Sequence, residues 1–243
     1  MTLVWLDPER IGFPEADQAL ANPNGLLAAG GSLSPEWLIH AYQRGIFPWF
    51  EDDQPFLWWS PDPRMVLLPS ELHISRSLSK LIQNNPYQVS IDLDFAAVIS
   101  ACSEPRPNSD GTWITAELQA AYQNLHSLGI AHSVEVWEQD SLVGGLYGVA
   151  LGNVFFGESM FSRSSNCSKL ALVFLVQHLR KWGYELIDCQ VASRHLASLG
   201  AREIPRGEFL AQLSELIDGQ VEPAYWPSSP IKKTRRLADN NGQ

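Results

Sequence analysis

Cysteine is scarce in this chain. Cys102, Cys167 and Cys189 are the only three, odd in number, far apart and outside any CxxC spacing, which excludes a disulfide framework and a thiolate zinc site. They are expected as reduced core thiols. His40, His73, His126, His132, His178 and His195 form no HxxxH or HExxH arrangement, so no metal and no cofactor are expected. Long hydrophobic runs are missing as well. An apolar stretch such as Leu170–Val176 falls far short of the roughly 20 residues that cross a bilayer. The opening Met-Thr-Leu-Val-Trp-Leu-Asp has neither a basic region nor a cleavage site. The expectation is a cytoplasmic protein with no membrane partner. Basic residues are outnumbered, 17 Lys and Arg against 27 Asp and Glu, for a net charge of −10. Nonspecific nucleic-acid binding needs a concentrated cationic array, so only a local patch such as Lys232, Lys233, Arg235 and Arg236 can contact phosphates. The acid surplus instead suits a cationic substrate. With 45% hydrophobic and 18% charged residues over 243 positions, the chain is folded, as one large domain or two small ones.

Aromatic residues, by contrast, are concentrated. Between Arg44 and Arg64 the chain reads RGIFPWFEDDQPFLWWSPDPR. Pro48, Pro55, Pro61 and Pro63 remove backbone donors and bias the residues before them toward extended conformations, so neither a long helix nor a central strand is expected here. The rings of Phe47, Trp49, Phe50, Phe56, Trp58 and Trp59 then sit on an irregular, proline-stiffened platform. Such a platform presents flat faces to a nucleobase, where stacking contributes roughly 1–3 kcal/mol per base. The alternative is that the rings seal a small N-terminal core. Glu51, Asp52 and Asp53 add negative charge beside the tryptophans.

A helix is expected from Ser34 as N-cap and Pro35 at its first position to Gly45. Ser60-Pro61-Asp62-Pro63 reads as a hinge, dividing the chain into 1–62 and 63–243. Thr115–Leu128 is an amphipathic helix stopped by Gly129. Strands follow at His132–Trp137, Leu142–Leu151 and Val154–Phe161, the last two joined by Gly152-Asn153. Next come a helix at Ser165–Trp182, a strand at Tyr184–Val191 and short helices at Ser193–Leu199 and Arg206–Ile217. Three strands, a helix and a strand form the core order of the GCN5-related N-acetyltransferases. The expected fold is therefore α/β (α+β), a small irregular N-terminal domain plus an acetyltransferase-like C-terminal domain with a mixed sheet. Acetyltransferases of that architecture cradle the CoA pyrophosphate with a glycine-rich loop at a helix N-terminus. The corresponding Ser162–Ser168 has no glycine, which argues against CoA and leaves acyl transfer from another donor.

Two positions stand out chemically. Asp188 and Gln190, two apart on a strand, leave the same face while Ile187 and Cys189 point to the other, and polar side chains on an apolar strand are costly to bury without partners. Glu158 is an acid inside the apolar run FFGESMF, after a glycine that can mark a bulge. A structural hydrogen-bonded pair and a salt-bridged edge residue are the respective alternatives.

The segments PNGLLAAGG, AYQRGIFPWF, LWWSPDPR, LHISRS, GTWIT, LGIAHSVEVW, LVGGLYGVA, FGESMFSR and LIDCQV with HLASLGA resemble the leucyl/phenylalanyl-tRNA–protein transferases over nearly the whole chain. The resemblance implies an aminoacyltransferase that moves Leu or Phe, and less readily Met, from aminoacyl-tRNA to the α-amine of proteins beginning with Arg or Lys, marking them for degradation. It further implies that Trp49 and Trp113 hold the terminal adenosine, with Glu158 at that adenosine or the ester end. Leu146, Phe155, Met160 and Ile187 would line the side-chain pocket, Leu146 departing from the Met of the family pattern. Gln190 would accept a hydrogen bond from the attacking amine, with Asp188 orienting it or assisting proton removal. Two rivals remain open at this level: a CoA-dependent acetyltransferase, and a noncatalytic aromatic platform for single-stranded RNA or proline-rich peptide.

Overall fold

The computed structural model describes residues 3–84, 86–105, 113–217 and 226; the basic run at Lys232–Arg236 lies outside them. The elements in chain order are β1 (Val4–Leu6), β2 (Leu26–Gly30), α1 (Pro35–Gln43), β3 (Phe47–Pro48), β4 (Leu57–Trp59), β5 (Arg64–Leu67), α2 (Arg76–Gln83), β6 (Gln88–Ile91), α3 (Phe95–Ser103) and α4 (Ala116–Ser127). Then come β7 (Ala131–Glu138), β8 (Ser141–Leu151), β9 (Val154–Ser162), α5 (Cys167–Lys181), β10 (Leu186–Gln190), α6 (Arg194–Ala197), β11 (Arg202–Ile204) and α7 (Arg206–Ile217). They build a four-stranded sheet, β1-β2-β4-β3, and a seven-stranded mixed sheet, β11-β5-β10-β9-β8-β7-β6. The expected succession of three strands, a helix and a strand is present as β7, β8, β9, α5 and β10, with β10 parallel to β9. Among the described residues no helix is long and apolar enough to cross a membrane.

Local signals explain most boundaries. Thr115 and Ser75 cap α4 and α2 by accepting the backbone N–H groups of Leu118 and Leu78, satisfying donors that the first turn leaves free. Pro35 opens α1, although the Ser34 hydroxyl bonds Glu36 rather than the helix backbone. α5 starts two residues later than expected because Asn166 takes a left-handed φ of 64°. Gly152 and Asn153 do join β8 to β9.

The proline-rich segment departs from expectation. β4 lies between Pro55 and Pro61 and pairs with both β2 and β3, so it is an interior strand, three residues long, where a central strand was excluded. Pro55 and Pro61 flank β4, and Pro48 sits opposite Trp58 in β3, the edge strand of that sheet, where a missing donor is tolerated. Its rings divide between roles: Phe47, Phe50 and Trp58 are buried in the core, whereas Trp49 is 43% exposed. The elements between Arg64 and Ser103 were not anticipated, because runs as short as RMVL carry no resolvable periodicity.

The large sheet is covered on both faces. Leu170, Val173, Phe174 and Leu179 of α5 and Leu78 and Ile82 of α2 form one core. On the other face a second core joins α3, α4 and α7 to Trp37, Tyr42, Phe47 and Trp58 of the N-terminal segment. Adjacent residues of β9 alternate between these cores, Phe155 in the first and Val154 and Phe156 in the second, as the two-residue period of a strand requires.

Gly148 and Gly157 face each other across β8 and β9 in unequal surroundings. A Cβ on Gly148 would lie 2.2 Å from the Phe156 carbonyl and 2.6 Å from the Phe155 ring, whereas one on Gly157 meets only the Asp188 carbonyl at 3.6 Å. Gly148→Ala should therefore destabilise the fold by at least about 1–3 kcal/mol through overpacking, while Gly157→Ala stays close to the wild type. Urea midpoints of the two variants check this; equal midpoints would contradict it.

Candidate active site

The ladder between β9 and β10 stops at the pair Phe156 and Asp188, although β9 runs on to Ser162. Beyond that pair the two strands part, and a cavity of about 550 Å³ opens, lined by Gly157–Ser162 of β9 and by Cys189–Val191, which follow the last β10 residue paired with β9. That is the size range of small-ligand sites. Its apolar wall is made by Leu146, Phe155, Met160, Leu172, Leu175 and Ile187. At another side stand Phe47, Pro48 and Trp49 from the N-terminal segment and Trp113 from the residues before α4.

The Trp49 main chain is held at both its N–H and its carbonyl. Its N–H donates to the Leu57 carbonyl at 2.9 Å, and its carbonyl accepts the Trp59 indole N–H at 2.6 Å. The Trp49 ring lies partly exposed beside the cavity, its centroid 5.5 Å from that of Trp59, a surface on which a flat group can stack.

Asp188 does not reach the cavity. It is fully buried behind it, clamped by Arg64, which donates from Nε to Oδ1 at 2.8 Å and from Nη2 to Oδ2 at 2.6 Å. Arg64 is itself fully buried, its guanidinium carbon 4.8 Å from the Phe47 ring centre and 4.7 Å from that of Phe209. Asp188 Oδ1 also accepts the backbone N–H of Gln190 at 2.9 Å. Gln190 takes a φ of 63°, and the pairing of β10 with β5 slips between Asp188 and Gln190. A left-handed backbone at a non-glycine residue costs of order 1–3 kcal/mol and persists where neighbouring contacts hold it; the Asp188 carboxylate is such a contact. The expected side-by-side projection of the two side chains is thereby corrected. Gln190 lines the cavity and Asp188 holds its main chain from behind.

Glu158 is the extra residue of a bulge. Tyr147 pairs with Ser159 and Gly148 with Gly157, leaving Glu158 opposite no partner, as the preceding glycine had suggested. β9 is an interior strand, so the salt-bridged edge alternative does not apply. The Glu158 carboxyl lies 2.8 Å from the Tyr42 hydroxyl at Oε1 and 2.7 Å from the Tyr122 hydroxyl at Oε2, and Oε1 accepts Gln190 Nε2 at 2.7 Å. Burial pushes its pKa up to about 7, against the opposing effect of these hydrogen bonds. Burial, with Glu158 as the next cause, also raises the Tyr42 and Tyr122 hydroxyls well above the usual phenol range.

Two smaller findings complete the site. Cys189, expected as a core thiol, is half-buried and lines the cavity, and burial, then Asp188, pushes its thiol pKa up, so it is a poor nucleophile. His195 also lines the cavity, with Nε2 buried and without a hydrogen-bond partner; burial, then Lys169, lowers its pKa. Of the residues given site roles by the family resemblance, all but Asp188 border this cavity, while Phe50, Phe56, Trp58 and Trp59 of the aromatic platform do not. Arg64, Tyr42 and Tyr122 were missed as site residues. Tyr42 and Tyr122 fall at helical spacing, which marks core positions as readily as site positions; for Arg64 the available signal is a cation opening the apolar run RMVLL. Among the described residues no group of three or more His, Cys, Asp or Glu side chains is placed to hold a metal ion.

Two family models match the chain: the leucyl/phenylalanyl-tRNA protein transferase over residues 66–214 and the N-terminal domain of that transferase over residues 31–62. Curated relatives named leucyl/phenylalanyl-tRNA–protein transferase include one from Pseudomonas syringae pv. syringae, 58% identical over 94% of this chain and 100% of its own length. Another, from Ectopseudomonas mendocina, is 60% identical over 85% and 92%. Solved structures align only weakly. A GCN5-related N-acetyltransferase from Kribbella flavida has a TM-score of 0.38 at 12% identity, over 70% of this chain and 60% of that one. L-PGS from Bacillus licheniformis has 0.39 at 12%, over 77% and 71%. With both parts of the family pattern matched and relatives near 60% identity along most of their length, the chain belongs to the leucyl/phenylalanyl-tRNA–protein transferase family.

Proposed function

We propose that the chain transfers Leu or Phe, and less readily Met, from aminoacyl-tRNA to the α-amine of proteins that begin with Arg or Lys, forming a peptide bond and marking the product for degradation. The observation that carries this reading is the single cavity between the parted ends of β9 and β10, with tryptophans on one side, an apolar wall on another and a tethered glutamine between them. A reaction supplied by aminoacyl-tRNA belongs where tRNA is charged, so the protein acts in the cytoplasm. The division into an N-terminal unit of residues 1–62 and a catalytic unit from 63 follows the same reading, the first supplying Trp49 and Tyr42.

In the proposed geometry Trp49 and Trp113 stack on the terminal adenosine. The leucyl or phenylalanyl side chain enters among Leu146, Phe155, Met160 and Ile187. Glu158, assigned to the adenosine and ester end, reaches the substrate chiefly through Gln190. The aminoacyl ester is already activated, so positioning supplies most of the rate. The neutral amine attacks the ester carbonyl, an N–C bond forms, the bond from that carbon to the ribose oxygen breaks, and the proton given up by the amine passes to that oxygen, which leaves as the ribose hydroxyl. Since Gln190 Nε2 is committed to Glu158, its side-chain carbonyl is the end left to accept a hydrogen bond from the amine. Asp188, sealed from the cavity, acts as a positioning residue through the Gln190 backbone.

Incubation with leucyl-tRNA and short peptides tests the reaction directly. Peptides beginning with Arg or Lys should gain the mass of one leucine, and peptides beginning with Ala or Glu should not; equal reaction of Arg and Ala peptides would refute the acceptor assignment. Trp49→Ala and Trp113→Ala should each raise KM for leucyl-tRNA about 5- to 150-fold, the equivalent of about 1–3 kcal/mol per lost stack, and unchanged KM in both would remove the adenosine assignment. Gln190→Ala should lower kcat in a protein that melts near the wild-type temperature. Asp188→Ala should instead lose about 3–5 kcal/mol of stability, because it strands a buried guanidinium. Denaturation curves set beside single-turnover rates separate the two roles.

A further inference from the structure

Tyr42, Tyr122 and Glu158 form a closed ring of oxygens. The two hydroxyls are 2.6 Å apart, and each also lies within 2.8 Å of one carboxyl oxygen. All three separations are hydrogen-bond distances that call for a proton between the atoms. Two phenols and a carboxylate bring two protons for three contacts. Two phenols and a carboxylic acid bring three.

The residues are 1%, 0% and 8% exposed, so a contact lacking its proton would set two oxygens against each other in a buried place. The surrounding charges do not favour the anion. Tyr147 of β8 packs its ring 5.4 Å from that of Tyr122 and is uncharged. Asp188 of β10 is the nearest like charge and is tied to Arg64 of β5, and among the described residues no cation pairs with Glu158. The third proton has a preferred place, because a carboxyl's carbonyl oxygen accepts two hydrogen bonds better than its hydroxyl oxygen does. Gln190 Nε2 and Tyr42 both meet Oε1, so Oε2 carries the hydrogen and donates to Tyr122, Tyr122 donates to Tyr42, and Tyr42 donates back to Oε1.

We infer that Glu158 works as a neutral carboxylic acid, and that Tyr42 and Tyr122 are positioning residues whose hydroxyls close the ring that makes Oε1 a pure acceptor for Gln190. The ring thereby decides which end of the Gln190 amide faces the cavity. This rests on the reading of Gln190 as the group that meets the amine. Ionisation would remove one of the three protons, open the ring and shift Gln190 with it.

Infrared spectroscopy of the folded protein gives a readout that needs no turnover. At pH 6 the wild type should show the carbonyl stretch of a buried protonated carboxyl, sensitive to deuterium exchange and missing from Glu158→Gln; its absence from the wild type would overturn the inference. Stability supplies a second check. The folded pKa of about 7 lies above the ordinary value of 4.5, so the stabilisation from the bound proton is complete below about pH 4.5 and is lost as the pH rises through about 7. That slope should vanish in Glu158→Gln, and an unchanged slope would count against the assignment. In transfer assays Tyr42→Phe and Tyr122→Phe should each lower kcat several-fold with KM for leucyl-tRNA unchanged. Glu158→Gln, a neutral isostere with a donor at the Oε2 position, should recover at least tenfold of the kcat lost in Glu158→Ala. Normal kcat in both folded tyrosine variants would overturn the positioning role. Wild-type turnover in Gln190→Ala, with the infrared band intact, would overturn the role of Gln190 while upholding the protonated ring.

Discussion

The buried ion pair between Arg64 and Asp188 organises the region around the cavity. It joins neighbouring strands of the large sheet, β5 and β10, and the carboxylate that holds the guanidinium also holds the backbone N–H of Gln190. With the Gln190 backbone in the left-handed region, β10 leaves its ladder with β9, and the gap that results is the mouth of the cavity. Removing two charges from water is expensive, and such pairs contribute little net stability even in good geometry. The two-pronged contact and the rings of Phe47 and Phe209 against the guanidinium offset that cost. What the pair supplies is a defined direction for the strand end.

A second buried polar layer sits beside the first. Glu158 occupies a bulge in β9 and gathers hydroxyls from α1 and α4 together with the amide of Gln190. The N-terminal segment is thus part of the site rather than an appendage, supplying Tyr42 to this layer and Trp49 to the cavity wall. One continuous apolar core links that segment to the large sheet. Fully satisfied buried networks fix a unique arrangement, whereas partly satisfied ones are costly, so the protonation of Glu158 bears on geometry as much as on charge.

Under the proposed reaction this division of labour is chemically economical. The donor ester needs no further activation, and Cys189, the one thiol at the cavity, has a raised pKa, which suits direct transfer rather than a covalent intermediate on the protein. The strain in the Gln190 backbone is localised where the substrate amine would meet it, a common placement for backbone strain in functional sites.

Patterns of short range were legible in the sequence. The two-residue turn at Gly152-Asn153, the three antiparallel strands, the long apolar helix and the final strand follow from periodicity and turn chemistry, and with them the class of fold. Glu158 and Gln190 stand out as polar groups inside apolar strands, which have no reason to be there without partners, whereas Trp113, Leu146, Phe155, Met160 and Ile187 follow only from the family resemblance. The partners themselves were not legible. Arg64 lies 124 positions from Asp188 and Tyr42 lies 116 from Glu158, and no local periodicity encodes which distant side chain will meet a buried carboxyl. For the same reason the sequence placed Asp188 and Gln190 side by side. Strand geometry alone says that residues two apart share a face; a carboxylate captured by a distant guanidinium, and a strand end pulled out of its ladder, are decided only when the sheet has assembled around them.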